Sequence, residues 1–222
     1  MTTAAVQAVI SDFGGVLTNP LFESFKRFTE AQGISFEALG QALQAIAQRD
    51  GENPLFGLER GEITEAAFLD AVGAALADQL GAPVDMTSFP DHYWGGLHVN
   101  QPMVDWLRSA RETHGVRLAL LTNNVREWEP RWRAMLPIDE LFEVVVDSAF
   151  VGLRKPDPRI YELTLQRLAL PASACAFVDD LPHNCEAATA LGLHAVWFQD
   201  TGQAIAELDT LVQLSQPSRS QR

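Results

Sequence analysis

The chain has 222 residues and a formal net charge of −13, and hydrophobic residues make up 47% of it. This length permits one large domain or a domain with an inserted module, and the apolar content is enough for a real core. The acidic balance argues against nucleic acid or an anionic membrane as a main partner, and with neither a signal peptide nor a membrane span in the sequence we expect a cytoplasmic protein.

Short apolar runs recur along the chain, with helical patterns between them. Because these runs do not alternate with polar residues, each predicts a strand buried on both faces. Strands that alternate with helices indicate an α/β fold with a parallel, doubly wound sheet. Cys175 lies in one such run and Cys185 in a predicted helix, so both are expected to be reduced, packed thiols. The strands are predicted at residues 8–10, 118–121, 144–146, 176–178 and 195–198, and the helices between and after them at 102–112, 158–168, 184–191 and 204–214.

The stretch from about residue 21 to residue 99 interrupts this alternation. It contains amphipathic helical patterns and no convincing strand, with Ser35 and Thr64 as N-caps of two of the helices. We interpret it as a helical module inserted after the first strand. The resulting prediction is a core of residues 1–19 and 100–216, an insert of residues 20–99, and a tail of residues 217–222 that frays.

Polar residues follow the first two predicted strands of the core. In an open α/β sheet, ligands bind beyond the carboxyl ends of the strands, so such residues are expected to share one crevice. Asp12 is followed by Gly14 and Gly15, which indicates either a sharp turn close to a ligand or an ordinary Asx turn. Thr122 and Asn123 either hold a phosphoryl oxygen or cap a helix.

Two further segments place charged residues at the same edge. Lys155 lies in a turn before a helix that Pro158 is suited to start, where it either neutralises phosphate or belongs to a solvated basic turn. Asp179 and Asp180 end a strand, and adjacent carboxylates repel each other unless a cation is present. Hard oxygen ligands suit Mg²⁺. One aspartate capping the next helix is the alternative, and we favour the metal site.

Together, the four segments resemble the four motifs of the haloacid dehalogenase-like hydrolase superfamily, in the same order and the same strand contexts. The resemblance covers essentially the whole chain. It implies a Rossmann-like parallel sheet with helices on both faces and an α-helical cap inserted after the first motif. The Asp-Phe-Gly-Gly-Val-Leu-Thr segment and the Asp-Asp-x-x-x-Asn segment are most similar to the branch with small sugar phosphatases and the N-terminal domain of soluble epoxide hydrolase.

This resemblance implies a Mg²⁺-dependent phosphatase of a small phosphorylated metabolite, working as a monomer or a homodimer. Asp12 is the implied nucleophile and forms an aspartyl-phosphate. Thr122 and Asn123 bind the phosphoryl group, and Lys155 stabilises its charge and that of the nucleophile. The implied metal ligands are Asp12, the backbone carbonyl of Gly14, Asp179 and Asp180, with Asn184 orienting the acidic pair.

One position departs from the family pattern. The family usually has a second aspartate two residues after the nucleophile, which protonates the leaving group, and here that position is Gly14. General acid–base catalysis typically supplies about 10²–10⁴-fold in rate. Our preferred hypothesis is a phosphatase that acts on an activated leaving group, such as an acyl phosphate or an anomeric sugar phosphate, or that receives a proton from the cap. The candidate cap donors are Asp50, Glu59, His92 and His98.

Two other hypotheses stay open. Metal-independent 2-haloacid dehalogenases also lack the second aspartate, and halide leaves without a proton; against this, those relatives generally lack the acidic pair that this chain keeps. The third hypothesis is a weakly active or non-catalytic relative that binds a phosphorylated ligand. In each case we expect the cap to set the choice of ligand. Candidate side chains for an apolar pocket are Phe22, Phe56, Trp94 and Trp128.

Overall fold

The structure is a computed structural model that describes residues 6–213. Five strands form one parallel sheet with the order β3-β2-β1-β4-β5, which confirms the predicted fold class. The predicted tail at residues 217–222, and residue 214 of the last predicted helix, lie outside the described residues. The strands are β1 (Ala8–Ser11), β2 (Arg117–Thr122), β3 (Val144–Asp147), β4 (Cys175–Asp179) and β5 (His194–Trp197).

The first strand occupies the centre of the sheet. Ser11, its last residue, lies beside Leu120 of β2 and Val178 of β4, and the Asp12 backbone N–H donates to the Val178 carbonyl at 2.9 Å. Because all strands run in one direction, their carboxyl ends meet at one edge of the sheet. The residues just beyond β1, β2 and β4 are therefore neighbours there.

Six helices separate β1 from β2. The first five form the cap, in which α2 packs against α4 and α1 against α5. Their starts follow from local chemistry, since Ser35 Oγ accepts from the Ala38 N–H and Thr64 Oγ1 from the Ala67 N–H, as predicted for N-caps. The helices are α1 (Leu21–Gln32), α2 (Phe36–Asp50), α3 (Pro54–Glu59), α4 (Glu65–Leu80), α5 (Phe89–Gly95) and α6 (Gln101–His114).

The two chain connections between sheet and cap run side by side. Thr18 and Val99 form an antiparallel bridge, and the Asn100 N–H donates to the Leu17 carbonyl at 2.8 Å. The Asn100 side chain also donates to the Val16 carbonyl at 2.8 Å. The cap is thus attached through one paired, hydrogen-bonded neck, which fixes where its helices stand over the edge of the sheet.

Helices cover both faces of the sheet. On one face, Val9, Leu118 and Val178 join a buried cluster that extends into the cap, and α6 and α12 pack there. On the other face, Ile10 and Phe177 pack with α10 and α11. Both cysteines are free and buried, as expected. The remaining helices are α7 (Glu129–Met135), α8 (Ile138–Leu141), α9 (Ser148–Val151), α10 (Pro158–Leu168), α11 (Pro182–Ala190) and α12 (Thr201–Gln213).

The prediction that every strand is buried on both faces is wrong for β5. Val196 is buried, but Trp197 is 46% exposed and His194 and Ala195 are only half-buried. β5 is an edge strand that pairs only with β4. An apolar run has the same appearance in an edge strand as in a central one, so the pattern alone did not separate them. None of the helices in the described part of the chain has the length and apolar character needed to cross a bilayer.

Candidate active site

Asp12 belongs to a buried charge cluster at the carboxyl edge of the sheet. Lys155 Nζ lies 2.7 Å from Asp12 Oδ1 and 2.6 Å from Asp179 Oδ2. The lysine side chain is 1% exposed, which excludes the solvated basic turn considered for it. One ammonium group therefore bridges carboxylates that follow or end two neighbouring strands, β1 and β4.

Asp179 is held by hydrogen bonds on both of its oxygens. Oδ2 pairs with Lys155, while Oδ1 accepts from the Leu181 N–H and from Asn184 Nδ2, both at 2.9 Å. Asn184 thus contacts one member of the acidic pair, and the orienting role that the resemblance implies for it stays a prediction. Three hydrogen bonds occupy most of its lone pairs, so Asp179 is placed to position Lys155 and to add negative charge, and Oδ2 keeps a lone pair that a cation could use.

Asp180 differs from its neighbour in having a carboxylate without a hydrogen bond to any residue between 6 and 213. Oxygens of Asp12, Asp179 and Asp180 all lie within 4.8 Å of one another. Burial, followed by the charge of Asp179, raises the pKa of Asp180 to about 6, against the opposing effect of Lys155. An unpartnered, desolvated carboxylate next to two others is a site that a cation would stabilise.

The two glycines after Asp12 have different tasks. Gly15 has a φ of +80°, and a Cβ there would collide with the Asp180 carboxylate, so only glycine permits this approach. Gly14 has no such φ, and a Cβ on it would lie 3.0 Å from Leu21 Cδ1 of the cap. The Gly14 carbonyl accepts no hydrogen bond within the described residues, so it remains available as an oxygen ligand.

The second motif contributes one hydroxyl and one amide to the edge. Thr122 is buried, and its Oγ1 makes only a 3.4 Å contact with the Asn123 carbonyl. The Asn123 side chain, in contrast, holds the main chain of Lys155: its Oδ1 accepts from the Lys155 N–H at 2.8 Å and its Nδ2 donates to the Lys155 carbonyl at 3.0 Å. Asn123 thus positions the lysine loop through its side chain.

The charge balance of this cluster is negative. Burial raises the pKa of Asp12, although Lys155 acts in the opposite direction. Burial alone would lower the pKa of Lys155, but the carboxylates of Asp12 and Asp179 outweigh it and raise that pKa. Three carboxylates share one ammonium group, so the net charge of the site is negative when all are ionised, and a divalent cation would neutralise it. Oxygen donors only, and few of them, match the ligand set of Mg²⁺.

Of the four cap residues considered as proton donors, Glu59 is the one whose side chain shares a cavity with this edge. It lies in the wall of the same cavity as Gly14 and Thr122, and its Oε2 accepts from Arg154 Nε at 2.6 Å. Asp50 and His98 are exposed on the surface, Asp50 pairs with Arg49, and His92 lies against the Phe28 ring. The other three candidates for a proton donor are thus outside the wall of that cavity.

A largely apolar cavity of about 320 Å³ separates the cap from the sheet edge. Its wall joins Phe13, Gly14 and Leu181 of the core to side chains of all five cap helices, including Trp94. Trp94 and Trp128 line it as proposed from the sequence, whereas Phe22 and Phe56 do not: Phe22 is 54% exposed, and Phe56 lies under the guanidinium of Arg154.

Two residues of this region were not predicted from the sequence. Arg154 joins the cap to the core through Glu59, and Tyr93 packs against Trp128 with ring centroids 4.6 Å apart. Arg154 lies directly before Lys155, so its place in the third motif was a usable signal. Tyr93 carried no local signal, because an aromatic residue in a short helix looks the same in a core and in a pocket wall.

A model of the family described as haloacid dehalogenase-like hydrolase matches residues 6–192. Acyl-CoA dehydrogenase family member 10 from Mus musculus is 32% identical over 208 residues, which are 93% of this chain and 19% of that protein. Bifunctional epoxide hydrolase 2 from Rattus norvegicus is 24% identical over 92% of the chain and 38% of that protein. The chain therefore spans only a minor part of these relatives. Phosphatase MT3486 from Mycobacterium tuberculosis is 32% identical over 90% of both chains.

Solved structures share the fold. A HAD family enzyme from Bacteroides thetaiotaomicron, in complex with magnesium and inorganic phosphate, has a TM-score of 0.63 at 22% identity and covers 87% of this chain and 94% of its own. The L-2-haloacid dehalogenase RSc1362 has a TM-score of 0.69 at 22% identity and covers 95% and 100%, respectively. At these identities the likeness concerns the fold.

Proposed function

Since this chain belongs to the haloacid dehalogenase-like hydrolases, we propose that it is a Mg²⁺-dependent phosphatase of a small phosphorylated metabolite, with Asp12 as the nucleophile. Membership confirms the resemblance of the four segments. The observation that carries the proposal is the 2.7 Å contact between Asp12 and the buried Lys155, with the unpartnered Asp180 beside them. Clusters of charged side chains that are buried in this way are typical of functional sites.

In the first step, an Asp12 carboxylate oxygen attacks phosphorus and the bond from phosphorus to the leaving oxygen breaks. Lys155 holds the attacking carboxylate in place and lowers the cost of bringing it to an anionic substrate. Thr122 Oγ1, which has only a weak contact of its own, donates to a phosphoryl oxygen. The product is an aspartyl-phosphate and the free leaving group.

In the second step, water attacks phosphorus of the aspartyl-phosphate. The products are the Asp12 carboxylate and dihydrogen phosphate, so charge and protons balance without a further base. The first step is different, because an alkoxide leaving group needs a proton and Gly14 offers none. A carboxylate leaves an acyl phosphate without a proton, which supports a substrate with an activated leaving group.

Asp12, Asp180 and the Gly14 carbonyl would hold Mg²⁺, with Asp179 positioned behind them by Lys155 and Asn184. The bound ion would offset the repulsion between these carboxylates and the phosphoryl oxygens. The fit rests on the excess of carboxylates over ammonium groups and on the close approach that Gly15 permits.

The test is a phosphatase panel assayed with and without Mg²⁺, with acetyl phosphate and other acyl phosphates beside alkyl phosphates. Wild-type protein should release phosphate from acyl phosphates and lose that activity in EDTA. Asp12→Asn should lower turnover by at least about 10³-fold, the scale seen when a nucleophile is removed. Absence of turnover on every member of the panel, acyl phosphates included, would contradict the proposal.

A second candidate, a 2-haloacid dehalogenase, is favoured by one observation, the Gly14 that replaces a proton donor. Attack of Asp12 on the halogen-bearing carbon would expel halide, which needs no proton. The buried acidic pair opposes this candidate, since extra carboxylates would repel a haloacid anion. Chloride release from a 2-chloro acid that persists in EDTA would place this reaction ahead of the phosphatase.

A further inference from the structure

The cavity between cap and core opens directly at the proposed phosphate site. Gly14, Thr122 and Asn123 of the sheet edge belong to its wall, and so do side chains from every cap helix. A substrate whose phosphoryl group sits against Thr122 therefore has its remaining part in this cavity. The chemistry of the wall then decides which leaving groups bind.

Most polar side chains of the wall already have partners within the protein. Glu59 pairs with Arg154 at 2.6 Å, Trp128 Nε1 donates to Glu65 at 2.6 Å, and Asn123 is engaged by the main chain of Lys155. Glu59 is the one charged residue among the wall residues of the described chain. These contacts use part of the hydrogen-bonding capacity of the three side chains and reduce what they can offer to the hydroxyls of a sugar.

Besides Thr122, which is proposed to bind the phosphoryl group, three wall side chains have a donor without a hydrogen-bond partner in residues 6–213: the Tyr93 hydroxyl, the Trp94 indole N–H and the Asn124 side-chain amide. They match a few oxygens at most. The rest of the wall consists mainly of leucine, phenylalanine, valine and methionine side chains. A hydroxyl buried against them would lose its bonds to water without replacement, so a polyhydroxylated group would bind poorly.

The approach to the cavity is apolar as well. Phe36 is a wall residue and is nonetheless 48% exposed, and the 54%-exposed Phe22 packs against it with ring centroids 5.0 Å apart. Large apolar side chains exposed together mark a binding surface for an apolar group. Here Phe36 of the exposed pair belongs to the wall of a cavity that the cap lines mainly with apolar side chains.

We propose that this cavity receives the leaving group of the substrate, and that this group is apolar and contains about ten carbon atoms. The size follows from the volume of about 320 Å³, which corresponds to about ten groups of the roughly 30 Å³ that one water molecule occupies in the liquid, and a methylene group is of similar size. The proposal rests on the phosphatase function for the position of the phosphoryl group. The same apolar body can be attached through an alcohol or through a carboxylic acid.

The experiment measures binding instead of turnover. A series of alkylphosphonates from methyl to dodecyl, which cannot be hydrolysed, is titrated into wild-type protein with Mg²⁺ in a calorimeter, with glucose 6-phosphate beside them. Affinity should rise by roughly two- to fourfold per methylene, the scale of burying one CH₂, and should level off near ten carbons. A flat series, or tighter binding of glucose 6-phosphate than of decylphosphonate, would overturn the proposal.

A pair of matched variants locates the effect. Leu43 and Leu69 are both half-buried leucines on cap helices, but only Leu43 is in the cavity wall. Leu43→Gln should lower the affinity for decylphosphonate by about tenfold and leave the affinity for methylphosphonate unchanged. Leu69→Gln should change neither affinity. Equal losses in both variants would contradict the assignment. If Leu43→Gln does not fold, the wild-type chain-length series still decides.

Comparing decanoyl phosphate with decyl phosphate as substrates separates the two sources of the apolar group. Faster release of phosphate from decanoyl phosphate supports a carboxylic acid as the leaving group, and equal rates support an alcohol.

The phosphatase function and the apolar site can be contradicted independently of each other. Chain-length-dependent binding without any turnover would contradict the phosphatase and keep the apolar site, whereas turnover with a flat binding series would contradict only the apolar site.

Discussion

Lys155 is the residue on which the charge balance of the site depends. It is buried, and its ammonium group is the counter-charge for Asp12 and Asp179. Removing one member of a buried ion pair leaves an uncompensated charge, which is far more costly than losing an exposed pair. The contact between Lys155 and Asp12, the proposed nucleophile, is therefore also expected to hold the sheet edge together.

Lys155→Met should lower the free energy of unfolding by about 3–5 kcal/mol at pH 8. The loss should be smaller at pH 5, because the freed carboxylates then take up protons. Urea unfolding at the two pH values measures both. Lys26→Met is the matched control, since Lys26 forms only an exposed pair with Glu30 and should change little. Similar stability of Lys155→Met and wild type would contradict the charge balance described here.

Asp147 offers a pH-dependent prediction away from the proposed metal ligands. Its Oδ1 accepts from the Ala149 N–H, but its buried Oδ2 has no partner in the described residues. Burial, the main cause, raises the pKa of Asp147 from 3.8 to about 6. The folded protein then retains a proton that the unfolded chain releases, so this residue lowers stability as pH rises from about 4 to about 6, and the deficit persists above that range.

Asp147→Asn removes this deficit and keeps an acceptor for Ala149. The variant should gain up to about 3 kcal/mol over wild type at pH 8 and little at pH 4. Urea unfolding of both proteins at the two pH values gives the difference directly. A gain that is the same at pH 4 and pH 8 would show that ionisation of Asp147 is not its cause.

Gly14→Asp tests whether proton donation limits the reaction. The new Cβ would lie 3.0 Å from Leu21 Cδ1, so the exchange is combined with Leu21→Ala to make room. Turnover of alkyl phosphates should rise by about 10²-fold or more in the double variant relative to Leu21→Ala alone. Turnover of acyl phosphates should change far less. An unchanged rate on alkyl phosphates in a folded double variant would place the limitation elsewhere.

At the scale of the element, α3 connects the cap to the core. Glu59 at its end pairs with Arg154 of the core, and the Arg154 guanidinium lies 4.0 Å from the centre of the Phe56 ring. Both charged side chains are about 15% exposed, so solvent screens this pair only partly. We expect the pair to fix α3 over the lysine loop instead of supplying a proton.

Glu59→Gln should therefore lower the free energy of unfolding by about 2 kcal/mol, the scale of a hydrogen bond between charged groups. The ratio of turnover on acyl phosphates to that on alkyl phosphates should stay constant. Glu62→Gln, which removes an exposed partner of Arg60, is the control and should change neither quantity. A tenfold or larger rise of that ratio in Glu59→Gln alone would identify Glu59 as the proton donor.

At the scale of the whole molecule, the net charge of −13 and the acidic cluster both favour cations. These two effects can be separated, because screening depends on ionic strength and binding depends on the ion. KCl should stabilise the protein only by reducing general repulsion. Mg²⁺ at the same ionic strength should raise the free energy of unfolding further, because it also binds at the acidic cluster.

Mg²⁺ at about 100 times its dissociation constant should raise the free energy of unfolding by about 2.7 kcal/mol beyond KCl. Thermal unfolding in matched salts measures this gain. Asp180→Asn should abolish it, whereas Asp70→Asn, an exposed position on α4, should retain it. An equal Mg²⁺ effect in all three proteins would show that the ion acts only by screening.

The sequence by itself determined the alternation of strands and helices, the helical insert and the strand-end positions of Asp12, Thr122 and Asp179. These features depend on periodicity and on neighbours in the chain, and the parallel sheet then gathers the strand ends at one edge. Of the two interpretations that the sequence left open for Lys155, its burial excludes the solvated turn. The edge position of β5 was not predicted, because a strand that pairs with one neighbour can have the same apolar sequence pattern as a strand that pairs with two.

Only the tertiary structure decided which atoms meet. The Asn123 side chain holds the main chain of Lys155, a contact that the sequence did not predict, and Glu59 pairs with Arg154, which is 95 positions away in the chain. The apolar cavity likewise depends on five cap helices that contribute a few side chains each. Such contacts follow from the packing of elements distant in the chain and from the directions of their side chains, neither of which local patterns encode.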